Sequence, residues 1–417
     1  MKLLTVMHSY PYPPRIGSAL VAYHAISEIA RTHSVDFVCY GVPEEKGEFE
    51  RLLNKVDCLP QCKTSPIFVA MRYLFYLIQG IPPAVTAHMS RAMNSRVASL
   101  ISDGGYDAIL VFEFSAIQYC PKSKLKMVVA HIEDPESIKL DRMNLLSVWS
   151  LRQKLKLKLL KASTDRYERN ILPKLGKVVL LSESDVLDFK NRRGYTNLGC
   201  GPYGVDGGSE KNVPGFDQRA NGMIVFSGSM YHGPNVDGAL FFLENIYPLV
   251  LKEYSSAVLW IVGSKPDKRI LAASRGFKEH VVVTGTVTNI ADYILRARVS
   301  ICPVRLQIGI QTKILEAMSS GTPVVTLSAG NSGIRGIPGE DLWVEDSPQE
   351  FAKRVAGLLR GEQWLPMSEA GRSLVKKRFT WRHSAQVLES YLADVKLQNE
   401  VSRVADEDCQ DIERGAH

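Results

Sequence analysis

The chain has no hydrophobic run long enough to cross a bilayer. Its richest apolar and aromatic stretch, Ile67 to Ile78 (IFVAMRYLFYLI), falls far short of the roughly 20 residues that a spanning helix needs. Cysteine is also scarce. The seven residues, an odd number scattered from Cys39 to Cys409, fit a reducing compartment better than a disulfide framework. Cys58-x3-Cys62 is the one close pair in the sequence, and no nearby His or second pair completes a zinc site. The opening residues MKLLTVMHSY carry one Lys and an apolar run too short for the core of a signal peptide, so the expected location is cytoplasmic. No zinc-finger, RNP-like or helix-turn-helix pattern accompanies the basic residues, which argues against nucleic acid as a partner. No Gly-x-Gly-x-x-Gly follows the first expected strand, which disfavours a dinucleotide-binding domain. The triplet Asp406-Glu407-Asp408 lies in a polar tail expected to be disordered, so no metal site is assigned to it.

What is present is ordinary globular material in unusual order. At 417 residues, 45% hydrophobic and 23% charged, the chain holds two domains of roughly 200 residues each. The net charge is +7, and the whole positive excess sits in the first half. There Leu151 to Lys161 (LRQKLKLKLLK) sets Arg152, Lys154, Lys156, Lys158 and Lys161 among leucines. Such a segment is either the solvated face of a long helix or a helix lying on an anionic membrane surface.

Apolar strands alternate with amphipathic helices, which predicts an α/β protein of two doubly wound domains. Lys2 to Met7, Val35 to Tyr40, Ala108 to Phe112, Lys126 to Ala130 and Val178 to Ser182 are the expected strands of the first. Met223 to Phe226, Val258 to Val262 and Val281 to Val283 open the second. Open α/β sheets bind ligands beyond the carboxyl ends of their strands. In the first domain those ends carry Gly17, just before a helix expected over Leu20 to Arg31, and the group His131, Glu133 and Asp134. Three titratable residues so placed serve acid/base chemistry or cap the next turn. In the second domain they carry Gly228, Gly263 and Val287.

The segment Ile301 to Gly330 (ICPVRLQIGIQTKILEAMSSGTPVVTLSAG) is the most informative. It reads as a strand, a turn at Gly309, a helix over Thr312 to Ser319 stopped by Gly321, and a second strand at Val324 to Thr326. Lys313 falls in the first turn of that helix, where the helix dipole disfavours a cation unless an anion is near. A bound phosphate would turn the conflict into attraction. Glu316, one turn on, can accept two hydrogen bonds from a vicinal diol such as a ribose. Taken alone, both charges also suit a solvated surface helix.

The run Gly309-Ile310-Gln311-x-Lys313-Ile314-Leu315-Glu316-Ala317-Met318, followed by Gly321-Thr322-Pro323-Val324-Val325, resembles the donor-binding motif of family 4 retaining glycosyltransferases. The resemblance implies a GT-B fold, two Rossmann-like domains facing a central cleft, and metal-independent transfer from a nucleotide-diphospho-sugar to a glycan or lipid-linked glycan with retention of configuration. It implies that Glu316 holds the ribose, and that amides around Gly309, Ile310 and Gln311 meet the diphosphate. The fuller motif carries a second Glu where this chain has Ile308. A subset of the family has Arg and Gly-x-Gln-x-Lys instead, which makes Arg305 and Lys313 the residues expected to stabilise the leaving diphosphate. Asp134-Pro135-Glu136-Ser137 is similar to the family's Asp-x-Glu-Ser pattern, and so Glu133 and Asp134 join Arg305 and Lys313 as catalytic candidates. The family also implies that Gly17 lines the donor side of the cleft and that Gly285-Thr286-Val287 forms a base-binding turn. A partner protein of a polysaccharide assembly complex and a nucleotide-sugar epimerase of the same fold are the alternatives. The expected organisation is a first domain over residues 1–206, a linker over 207–222, a donor domain over 223–378, a closing helix over 379–396 returning to the first domain, and a disordered tail over 397–417.

Overall fold

The structure is a computed structural model that describes residues 1–14, 17–41, 47–60, 71–73, 75–76, 79–146, 148–205, 213–307 and 309–414, with side chains up to residue 402. Ile308, Cys62, Asp206, the first part of the expected linker, the acidic triplet and part of the 67–78 stretch lie outside the described residues or side chains. The chain divides into two compact units. The first comprises Met1–Ile138, Leu159–Pro202 and Trp381–His417, and the second Lys139–Lys158 and Tyr203–Thr380.

Among the described residues, thirteen strands form two parallel sheets. In the first unit these are β1 (Lys2–Ser9), β2 (Ser34–Tyr40), β3 (Lys55–Leu59), β4 (Ala108–Phe112), β5 (Val128–Glu133), β6 (Lys177–Leu180) and β7 (Leu198–Cys200). Their order across the sheet is β3-β2-β1-β4-β5-β6-β7. The second sheet contains β8 (Ala220–Ser227), β9 (Val258–Val262), β10 (Val281–Gly285), β11 (Ala297–Cys302), β12 (Val324–Thr326) and β13 (Trp343–Val344), ordered β10-β9-β8-β11-β12-β13. Parallel strands covered by helices on both faces need continuous apolar runs rather than alternation. Leu3 to Met7 and all of β4 are buried accordingly. In each sheet the strand order reverses once, between β1 and β4 and between β8 and β11. Ligands of open α/β sheets sit at such reversals.

Seven helices matter here: α1 (Gly17–Ile29), α2 (Glu136–Asn144), α3 (Leu151–Ile171), α4 (Gly233–Phe241), α5 (Thr312–Ser319), α6 (Pro348–Leu359) and α7 (Trp381–Arg414). Helix α5 ends as the sequence implies: Gly321 is left-handed at φ 65°, and the Thr322 amide donates back to the Ala317 carbonyl at 2.9 Å. Arg219, 3% exposed, holds that end in place. Its guanidinium donates to the carbonyls of Ser320 and Gly321 and to the Thr322 hydroxyl. Helix α7 belongs to the first unit, with Ala385, Leu388, Leu392 and Val395 buried at helical spacing.

Three boundaries differ from the expectation. The division falls between Pro202 and Tyr203, and β8 begins at Ala220, inside the expected linker. Residues 139–158 cluster with the second unit. Helix α7 continues past the expected boundary at 396 to Arg414. Its Glu, Gln and Val residues extend an established helix at little cost, whereas polarity alone suggested disorder.

Candidate functional site

The second sheet's reversal gathers the residues of the recognised motif. Strand β8 ends at Ser227, and the chain turns at Gly228 (φ 144°) beneath the end of β9, where Gly263 has φ 152°. The Gly228 amide donates to the Val262 carbonyl at 3.0 Å. A Cβ on Gly263 would lie 1.7 Å from the Gly228 carbonyl oxygen, so the two loops touch backbone to backbone. A Cβ on Gly228 would meet the Asn235 amide at 2.8 Å and the Lys313 side chain at 3.3 Å. This approach brings Lys313, from the far side of the reversal, over the first loop. Its ammonium donates to Asn235 Oδ1 at 3.0 Å and to Gln311 Oε1 at 3.1 Å.

The start of α5 makes no side-chain capping bond at Gln311, so the amides of its first turn point into the same space as Lys313. Ile310 is buried below the turn that follows Gly309. Glu316 is half-buried on the exposed side of α5, whose Ile314, Leu315, Ala317 and Met318 face the core. Burial raises its carboxyl pKa and Lys313 partly opposes that rise. Val287 follows the end of β10 in an irregular loop.

Two residues that the sequence did not point to, Asp237 and Lys139, enter here. Arg305 gives both guanidinium arms to Asp237, at 2.8 and 2.6 Å, while Asp237 is almost wholly buried on α4. The pair fixes the chain just past β11 and leaves Arg305 partly exposed. Nothing local in the sequence reveals this partner of Asp237, 68 residues away. Lys139 of α2 is the second. It joins Lys313 in lowering the pKa of His232, after burial, which places two cations around the turn between β8 and α4. This stretch has neither Arg nor Lys between Phe226 and Lys252, and Lys139 supplies positive charge from elsewhere in the chain. A concave group of glycine backbone, uncapped amides and cations is suited to a diphosphate.

At the first sheet's reversal, Gly17 opens α1, and Ser18 donates to the Glu113 carboxylate at 2.9 Å. Glu113 follows β4 at φ 73°, a costly conformation for a residue with a side chain. Burial raises its pKa. His8 at the end of β1 lies against His88, ring centres 3.6 Å apart, with Tyr119 bonded to both. Burial lowers the pKa of both histidines, helped for His8 by the neighbouring imidazole, to about 4, and for His88 by Arg72. Glu133 ends β5, also at positive φ (63°), with Asp134 next to it. Both are half-buried. His131 is different: it is 0% exposed within the sheet, and burial pushes its pKa down to about 4. It packs on Phe112 and belongs to the core, not to a site. Gly17, Glu133 and Asp134 thus stand in the first unit, while Gly228, Gly263, Gly309, Gln311, Lys313, Arg305 and Glu316 come together in the second.

Comparison with known proteins matches the second of these groups. Residues 221–361 fit the family described as Glycosyl transferases group 1. An uncharacterized 44.6 kDa protein in the cps region of Klebsiella pneumoniae is 26% identical over 142 residues. That match covers 32% of this chain and about a third (36%) of the relative. Sucrose-phosphate synthase from Thermosynechococcus elongatus superposes with a TM-score of 0.63 at 15% identity, covering 97% of this chain and 99% of that one. TarM of S. aureus, solved with alpha-GlcNAc-glycerol and UDP, superposes with a TM-score of 0.63 at 10% identity, covering 94% and 99%. The chain therefore has the GT-B fold, and its residues 221–361 form a glycosyl transferases group 1 domain.

Proposed function

We propose that the chain is a glycosyltransferase that moves a sugar from a nucleotide-diphospho-sugar to a hydroxyl of a glycan or lipid-linked glycan, with retention of anomeric configuration. The observation that carries the reading is the meeting of Lys313, the uncapped start of α5 and the Gly228–Gly263 contact at one strand-order reversal. Chemically, the leaving diphosphate accumulates charge as the glycosidic bond breaks, and fixed donors placed where that charge develops lower the barrier. Lys313 and the amides after Gly309 are assigned this role. Arg305 has a second duty in holding Asp237, and Glu316 grips the ribose through its hydroxyls. Glu133 and Asp134 are assigned to the acceptor and donor-sugar side. The UDP bound by TarM makes UDP-sugars the first donors to try.

The test is a panel of nucleotide-sugars incubated with and without glycan and lipid-linked acceptors. Release of nucleoside diphosphate with a matching mass gain on an acceptor is the expected result. An epimerised sugar nucleotide, or binding with no turnover of any donor, would instead establish one of the two alternatives.

A further inference from the structure

Helix α3 fully buries side chains only in its second half. Its buried residues are Ser163, Thr164 and Glu168, and the Glu168 carboxylate accepts from the Ser137 amide at 3.0 Å and from the Ser137 hydroxyl. From Leu151 to Leu160 no residue is fully buried, and only Lys154, Leu157 and Leu160 are partly so. There Leu151, Leu155 and Leu159 are 88%, 60% and 55% exposed. Spaced four residues apart, they form a single stripe on the helix surface. The same spacing sets Arg152 and Lys156 along one border of the stripe and Lys154 and Lys158 along the other.

A helix built for water intersperses carboxylates at i±4 from its cations. The first half of this one has none: no Asp or Glu occurs between Asp141 and Asp165. Among the described residues no carboxylate pairs with Arg152, Lys154, Lys156 or Lys158. The second half of the helix, in the first unit, lies beside another exposed apolar feature. Arg166 fills the space over Gly80, and the helical turn just before it exposes Met71 and Phe75 by 65% and 59%.

We propose that α3 docks the protein on a lipid bilayer containing anionic phospholipid, with the leucine stripe at the acyl boundary and the flanking cations among the phosphates. Leucines alone would suit any apolar partner, but unpaired cations on both borders require a surface that is apolar below and anionic around it. For its consequence the inference rests on the proposed function: the sugar acceptor is then one carried on a lipid.

The experiment sediments the full chain with vesicles of phosphatidylglycerol and phosphatidylcholine, and with phosphatidylcholine alone. Binding to the anionic vesicles only, fading as salt rises, is expected. Changing Lys154→Glu, Lys156→Glu and Lys158→Glu together should weaken it at least about 100-fold. Changing Leu151→Ser, Leu155→Ser and Leu159→Ser, which leaves the charge untouched, should weaken it at least about tenfold. Stabilisation by a nucleoside diphosphate is measured alongside, and its loss in the wild type would speak against the donor reading and not against docking. The proposal is overturned if the wild type fails to sediment at low salt, or if the leucine variant binds as the wild type does. It is also overturned if the stripe proves to be the contact of a solution dimer that the leucine substitutions dissociate.

Discussion

His131 shows how a residue's position in a sheet decides what its chemistry can be. In the sequence it stands two residues before Glu133 at the end of an apolar run, which suits a site as well as a core. In the fold the strand continues past it to Glu133, so its ring turns inward between strands and Phe112. The strand end lay three residues beyond the expected Ala130, and that shift alone moves a ring from the rim to the interior. The consequence is a pH dependence. The folded value, about 4, lies below the ordinary 6.5, so as pH falls the unfolded chain takes up the proton first. The stability is fully present above 6.5 and is lost as pH drops toward 4. Replacing His131→Met should flatten the acid limb of the thermal-unfolding profile by about 2 to 3 kcal/mol across that window. A profile parallel to that of the wild type would show that His131 is not held neutral.

At the scale of elements, strands and helices with strong periodicity were legible where their boundaries are marked chemically. Helix α5 and strands β4, β9 and β12 occur over the residues their patterns indicate, because Gly, Pro or a change of period stands at each end. Strand β3, KVDCL, gave too little apolar signal to be read, for as an edge strand it pairs on one side only, with β2. Of the site, Lys313, Glu316 and the glycines were legible because one short segment carries most of them. Asn235, Asp237, Lys139 and the Ser18–Glu113 bond were not, since each depends on contacts that a linear pattern does not encode. The Gly228–Gly263 contact gives the element-scale prediction. Gly263→Ala would drive a methyl group into the Gly228 carbonyl at a φ of 152° that side chains rarely adopt. Thermal unfolding should record a loss of about 3 kcal/mol or more, with nucleotide stabilisation abolished. An unchanged midpoint would mean that the two loops do not press together in solution.

For the molecule as a whole, two parallel sheets each present a strand-order reversal, and the chemistry is divided between them. The second unit concentrates cations, uncapped amides and glycine backbone around one reversal, which is the electrostatic form of a diphosphate site. The first unit places strained or buried carboxylates, Glu113 and Glu133, at its strand ends. The basic run at the start of α3, Arg152 to Lys158, clusters with the second unit, and the docking proposal assigns it to the bilayer rather than to sugar transfer. No described helix is long and apolar enough to cross a membrane.

The central claim is that the second unit binds a nucleoside diphosphate with Glu316 on the ribose and Lys313 on the phosphates. Among the described residues no hydrogen-bond donor reaches the Glu316 carboxylate, so a diol that supplies two donors has much to gain from it. Calorimetric titration of UDP, with the other nucleoside diphosphates as alternatives, into the wild type, Glu316→Ala and Lys313→Ala tests this directly. The account predicts that each substitution weakens binding by about 1.5 to 3 kcal/mol while the fold survives, and that only Lys313→Ala removes the preference for diphosphate over monophosphate. Affinity unchanged in Glu316→Ala, or no nucleoside diphosphate bound by the wild type, would contradict it.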